Sequence, residues 1–223
     1  MKHRLSAWTL EHVSRGSKMP FTTYAELQSS ISNFLNRDDL TAVIPDFIAL
    51  AEAMIERDLR HWRMQERAET TLSERYTTRP GDWLETIRLT IDELGYGDLR
   101  AVTMNSMAAM RARANDVAGV PQYYCYSQDE IEVFPTPDAS YTAELVYYKT
   151  IESLSDSNTS NWILALAPDV YLYGALIHSA PYLHDDVRAQ TWASMYQAAV
   201  QRLNDESKTS QYSNQTLSMG MPR

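Results

Sequence analysis

The sequence predicts an α+β fold, a helical bundle formed by N- and C-terminal helices with an inserted antiparallel β subregion. Three observations predict it. Apolar residues recur at helical spacing in residues 22–63 and again in 160–206. Between them, residues 64–150 change to short runs of Thr, Tyr, Val and Ile broken by turn residues. No linker or internal repeat divides the chain, and neither helical stretch can bury its apolar stripe alone, so residues 22–206 are expected as a single domain.

The first helix is announced by Thr23 and Glu26, whose spacing lets each side chain satisfy a free backbone N–H. Tyr24, Leu27, Ile31, Phe34 and Leu35 then mark one apolar face. Residues 36–39 break the pattern, with Asp38 and Asp39 read as helix-start residues, and Pro45 suits the first turn of a second helix. Phe47, Leu50, Ala51, Met54, Ile55 and Leu59 carry that helix on, with Glu52, Glu56, Arg57 and Arg60 mostly on other faces.

In the β subregion, Arg79, Pro80, Gly81 and Asp82 form a turn before a strand over 83–91, where Leu84, Ile87, Leu89 and Ile91 alternate in part. Met107, Met110 and Ala114 indicate a short helix over 105–115, closed by Gly119. Residues 121–126 and 131–134 flank Ser127, Gln128 and Asp129 as a hairpin, and Ala143, Leu145 and Tyr147 alternate in a last strand over 141–149. Pro135 and Pro137 suit a strand end, because proline cannot donate to a ladder.

Helical patterning returns with Val170, Leu172, Tyr173, Leu176 and Ile177, then Val187, Trp192, Met195, Tyr196, Ala199 and Leu203, with Asp185 a candidate cap. Residues 207–223 are rich in Ser, Thr, Gln and Asn without a period and are expected as an extended tail. Residues 1–21 are expected as a flexible N-terminal extension, with Met19 an alternative start. No run of signal-peptide length occurs there, and Asp169 interrupts the most apolar stretch, which argues for buried helices and no membrane span.

Composition narrows function. The formal charge of -9 disfavours DNA binding, which draws on Lys and Arg to displace counterions. Cys125 is the lone cysteine and, among tyrosines, reads as a small hydrophobe in a strand. His61, His178 and His184 have no zinc spacing, and neither a phosphate loop nor a Gly-x-Ser-x-Gly elbow occurs; Gly95, Tyr96 and Gly97 read as a turn. Glu130 with Glu132 is an acidic pair of the kind glycoside hydrolysis uses, although the wet face of a strand explains it better. Tyr123, Tyr124, Tyr126, Tyr147, Tyr148, Trp162, Tyr171 and Tyr173 suit either subunit contact or, preferably, internal packing.

Three stretches, in order, carry a family likeness. The first is Phe47-Ile48-Ala49-Leu50-Ala51-Glu52 with Ile55-Glu56-Arg57-Asp58-Leu59-Arg60. The second is Glu130-Ile131-Glu132-Val133-Phe134-Pro135-Thr136-Pro137, followed by Glu144-Leu145-Val146-Tyr147-Tyr148. The third is Leu154-Ser155 and Asn161-Trp162 before helices over 169–183 and 192–203. Over residues 22–206 the chain resembles the head-to-tail adaptors, or head completion proteins, of short-tailed bacteriophages and their relatives. The resemblance implies a virion protein of the neck: a homo-oligomeric ring, commonly a dodecamer, docked on the portal protein and facing tail or nozzle proteins. Genomic DNA would pass through its channel without sequence-specific binding. It also implies that residues 207–223 grip the portal, with Tyr212, Leu217, Met219 and Met221 as anchors. No catalytic residue, cofactor, metal or membrane is expected. The alternatives are a tail-associated carbohydrate-cleaving enzyme using Glu130 and Glu132, and another neck or tail-tube subunit without portal contact.

Overall fold

A computed structural model describes residues 21–37, 39–91, 97–115, 117–183 and 186–212. Helix α1 (Tyr24–Leu35) starts at the expected capping box: the Thr23 hydroxyl accepts the Glu26 N–H at 3.3 Å and the Glu26 carboxylate accepts the Thr23 N–H at 3.2 Å. It ends where Asn36 turns left-handed. Helix α2 (Ile44–Asp58) carries Pro45 in its first turn. Asp39 does not start it; its carboxylate instead accepts from Arg37 Nε and Nη2, at 2.7 and 2.6 Å, and Asp38 lies outside the described residues.

A short 3-10 turn (Trp62–Met64) leads into β1 (Gln65–Leu72), β2 (Tyr76–Thr78), β3 (Trp83–Ile91), β4 (Gly97–Asp98) and β5 (Arg100–Ala101). Helix α3 (Met104–Ala114) follows, then β6 (Tyr123–Ser127), β7 (Glu130–Phe134) and β8 (Tyr141–Lys149). Asn115 closes α3 in a left-handed conformation, so Gly119 is not its cap; Gly119 lies against Pro135 and donates its N–H to Thr136. The hairpin turn is Gln128 and Asp129, since Ser127 pairs with Glu130, and Gln128 takes the positive φ. Of Gly95, Tyr96 and Gly97, only Gly97 falls within the described residues.

The strands form two four-stranded sheets, ordered β1-β8-β3-β4 and β2-β7-β6-β5. The first is antiparallel throughout, but β5 runs parallel to β6, which corrects the all-antiparallel expectation. The reason is α3: a helix between two strands lets the second start where the first did. Leu89, Ile91, Ala143 and Leu145 of the first sheet and Tyr124, Ile131 and Val133 of the second share one buried cluster. The alternation in β3 is partial because its register with β8 shifts twice, leaving Leu84 against the helices, Ile87 exposed, and Leu89 and Ile91 inside the sandwich.

Helices α4 (Trp162–Leu166), α5 (Pro168–Leu183) and α6 (Asp186–Tyr212) complete the chain. A second buried cluster draws on Leu27 and Ile31 of α1, Ile48 and Ile55 of α2, Leu164 of α4, Tyr171 and Leu176 of α5, and Tyr196 and Val200 of α6. Each fully buried aliphatic side chain there contributes about 1.5–3 kcal/mol. Phe21 belongs to this cluster, so the folded part reaches back to the last residue of the expected N-terminal extension; residues 1–20 lie outside the described residues.

Two carboxylates of α2 organise the return from β8. Glu52, expected on a polar face, is buried and accepts the Leu154 N–H at 2.7 Å and the Tyr171 hydroxyl at 3.3 Å. Glu56 accepts the Ile151 N–H at 3.0 Å. Burial pushes the Glu52 carboxyl up from its ordinary value, in spite of the Leu154 and Tyr171 donors. No described helix is long and apolar enough to cross a membrane.

Candidate functional site and interaction surfaces

The residues assigned to portal contact lie at and beyond the end of α6. The helix continues to Tyr212, six residues into the expected tail of 207–223, so the tail assignment is corrected at its start. Tertiary contacts explain the extension. The Asn204 side chain accepts the Arg60 N–H at 2.9 Å and donates to the Asp58 carbonyl at 3.2 Å, while the buried Ser207 hydroxyl accepts the Trp62 N–H at 2.9 Å. These bonds satisfy backbone groups left free just past the end of α2. A serine-rich composition therefore hides a docked helix. Tyr212 is the last residue of α6; Leu217, Met219 and Met221 lie outside the described residues.

Beside this root sits an aromatic stack. His61 is fully buried, its Nδ1 accepts the Arg63 N–H at 3.2 Å, and its ring lies 4.9 Å from that of Trp162 and 5.5 Å from that of Trp62. The Arg63 guanidinium covers Trp62 at 5.3 Å, and the His61 Nε2 finds no partner among the described residues. Burial, with Arg63 behind it, outweighs Glu206 and holds the His61 pKa below its ordinary 6.5; burial and Arg57 do the same at His178.

Folding thus favours the neutral form of both imidazoles, whereas the unfolded chain takes up their protons as pH falls past about 6.5. Their contribution is complete above that pH and is lost as pH falls through the lowered folded-state values. Urea unfolding is expected to show a midpoint that declines from about pH 6.5 downward, and less steeply in His61→Asn, whose amide oxygen can still accept the Arg63 N–H. A decline equally steep in that variant would remove His61 from the account.

The two acids of the pair sit in different surroundings, Glu130 exposed and Glu132 buried. Glu130 and Glu132 point to the same side of β7, but α3 covers that side at Glu132, so the expected wet face is buried there. Glu132 is 6% exposed and accepts Arg111 Nε and Arg75 Nε, each at 2.9 Å. Burial would raise its pKa, but the two guanidiniums prevail and hold it below the ordinary carboxylate value, which is wrong for a proton donor. Cys125 packs as expected, buried in β6 with its thiol toward Glu132 and its pKa raised by burial and then by that carboxylate. Among the described residues no group of His, Cys, Asp and Glu is placed to hold a metal ion.

Tyr124, Tyr147 and Tyr171 are buried, so these aromatics serve packing. Exposed apolar side chains include two that periodicity assigned to the core: Phe34 is 55% exposed and Leu50 50%. Phe34 borders a furrow of about 500 Å³ lined by Phe21, Leu166, Pro168, Leu172 and Tyr173. An Asp169–Arg202 ion pair at 2.6 Å stands at its edge. Sequence periodicity alone could not reveal it, because the furrow exists only where α1, α4, α5 and α6 meet.

The model of one protein family, described as SU10 adaptor protein, matches residues 22–219. A search of curated proteins returns no match.

Proposed function

We propose that this chain, which belongs to the SU10 adaptor protein family, joins portal to tail as a ring of identical subunits lining the DNA channel. Membership of that phage adaptor family makes it a structural component of the virion. The observation that carries the finer reading is the extent of the match, since residues 22–219 take in both helical segments, the β sandwich and part of the segment after α6.

In this reading the terminal helices form the bundle that packs side by side around the lumen, commonly twelve copies to a ring. The sandwich projects toward tail or nozzle proteins. A chain of formal charge -9 does not grip passing DNA, because anionic walls repel phosphate. Its work is assembly without a chemical step, a reading supported by the locked state of Glu132. Tyr212, Leu217, Met219 and Met221 grip the portal, and ordering that tail is a cost met when the ring assembles.

Truncation after Tyr212 tests the grip without disturbing the fold, since Asn204 and Ser207 remain in place. The truncated chain is expected to keep its unfolding midpoint and to lose the portal in a pull-down. Undiminished binding would reject the tail's role, and failure of the full chain to bind would favour a neck or tail-tube subunit without portal contact. Isolated protein is expected to sediment as monomer and to form rings, visible by electron microscopy, once portal is added. Clearing of a peptidoglycan suspension, abolished by Glu130→Gln, would favour the carbohydrate-cleaving alternative.

A further inference from the structure

We infer that Leu50 of one copy seats in the furrow beside Phe34 of the next, so that two unlike faces of the subunit make the contact between copies. The furrow is lined by Phe21, Phe34, Leu166, Leu172 and Tyr173, and the Asp169–Arg202 ion pair stands at its edge. An apolar hollow beside a neutral pair of charges fits an apolar knob with both signs of charge around it.

Helix α2 presents such a knob. Ala51 packs on Gly174 of α5, which turns Asp46, Ala49, Leu50, Ala53 and Arg57 outward, and all five are exposed. Leu50 is half exposed with Ala49 and Ala53 beside it, so no long side chain there holds a neighbouring surface away. Asp46 lies one turn before it, about 6 Å along the axis, and Arg57 two turns after it, about 11 Å. Neither charged side chain forms an ion pair among the described residues.

The two faces lie on different sides of the subunit. Gly174 looks toward α2, whereas Asp169, five residues earlier at the furrow, lies about 140° around α5 from it. A subunit that gives its α2 face to one neighbour therefore keeps its furrow for another, the arrangement from which a ring can close.

Electrostatics favours a second copy as the occupant. At a formal charge of -9 two copies repel, and they approach at least cost where each face is locally neutral. The furrow edge carries one charge of each sign, and so does the outward stripe of α2. With Leu50 seated, Asp46 meets Arg202 and Arg57 meets Asp169. The contact is small, so isolated chains remain monomeric when dilute and repeat it when a portal gathers them. That last step rests on the function proposed above; the contact itself does not.

The test mixes two full-length variants, Leu50→Cys and Phe34→Cys, at high concentration under mild oxidation. Both positions are half exposed and Cys125 is buried, and urea midpoints check that each variant folds. The expected product is a dimer whose linked peptides join positions 50 and 34, formed in excess over the dimers of either variant alone. Adding Asp46→Lys to the first variant is expected to lower its yield about tenfold, and adding Arg202→Glu to the second to restore it. Absence of the 50–34 link, links only between like positions, or a yield indifferent to Asp46→Lys would each overturn the contact. The double variant, oxidised with portal present, separates the two claims. Rings without the link would remove this contact and leave the ring, whereas the link without rings would leave the contact and remove the ring reading.

Discussion

Arg111→Ala is expected to lower the unfolding free energy by about 3 kcal/mol, because it takes from a buried carboxylate the more deeply buried of its two guanidinium partners. Arg111 is 8% exposed and Glu132 6%. Its guanidinium donates to Glu132 at 2.9 Å, to the Val133 carbonyl at 2.6 Å and to the Thr136 hydroxyl at 2.9 Å, and lies over the Phe134 ring. Truncation leaves all three acceptors short of a donor under α3. Arg75 also reaches Glu132, but its side chain is 39% exposed, so Arg75→Ala is expected to cost no more than about 1 kcal/mol. Urea titrations of the two variants measure the contrast, and a loss below about 1 kcal/mol for Arg111→Ala would show that the network relaxes around the gap. The pH dependence has a definite sign. Glu132 is held below its ordinary 4.5, so its contribution is complete above that pH and is lost as pH falls through the lower folded value. Its loss sets in at a lower pH than that of the two histidines.

Gly174→Val is expected to cost about 3 kcal/mol or more, and Gly174→Ala about 0–2 kcal/mol. A Cβ at this position of α5 would stand 3.0 Å from the Ala51 Cβ and 3.7 Å from both the Ala51 Cα and the Met54 methyl. Ala51 has no torsion by which to move aside, so α2 itself must shift. For alanine, a gain of about 1 kcal/mol in helix propensity offsets an overpacking cost of about 1–3 kcal/mol. Valine adds two more carbons at the same contact and gives up part of the propensity gain. Chemical denaturation of both variants, alone and with Ala51→Gly, checks this: the glycine should restore stability in the Gly174→Ala background by more than it does alone. Wild-type stability in Gly174→Val would mean that the two helices are not held at this spacing.

The readable features were local ones. The capping box of α1 and the proline of α2 act within one turn of chain, and the buried row Tyr141, Ala143, Leu145 and Tyr147 follows from the two-residue period of β8. The features misread depended on what lay across from a residue. Glu132 looked wet because nothing in β7 indicates that α3 lies over it. Glu52 looked polar-faced because its partners, Leu154 and Tyr171, are more than a hundred residues away. Residues 207–212 looked like a tail because serine-rich composition does not register a hydroxyl docked on Trp62. Of the four anchors implied for portal contact, Tyr212 ends α6 and the other three lie outside the described residues.

By itself the sequence determined the α+β class and placed α1, α2, α3, β3, the β6–β7 hairpin, β8 and the long helices α5 and α6, but not β1, β2, β4, β5 or α4, since capping, turn chemistry and apolar periodicity act between near neighbours in the chain. The match over residues 22–219 agrees with the order of motifs that suggested an adaptor. Tertiary structure alone decided the parallel pairing of β5 with β6, the burial of Glu52 and Glu132, the length of α6 and the furrow beside Phe34. Each of these depends on desolvation and hydrogen bonding between residues distant in sequence, and a periodicity cannot encode which surface its polar face will meet.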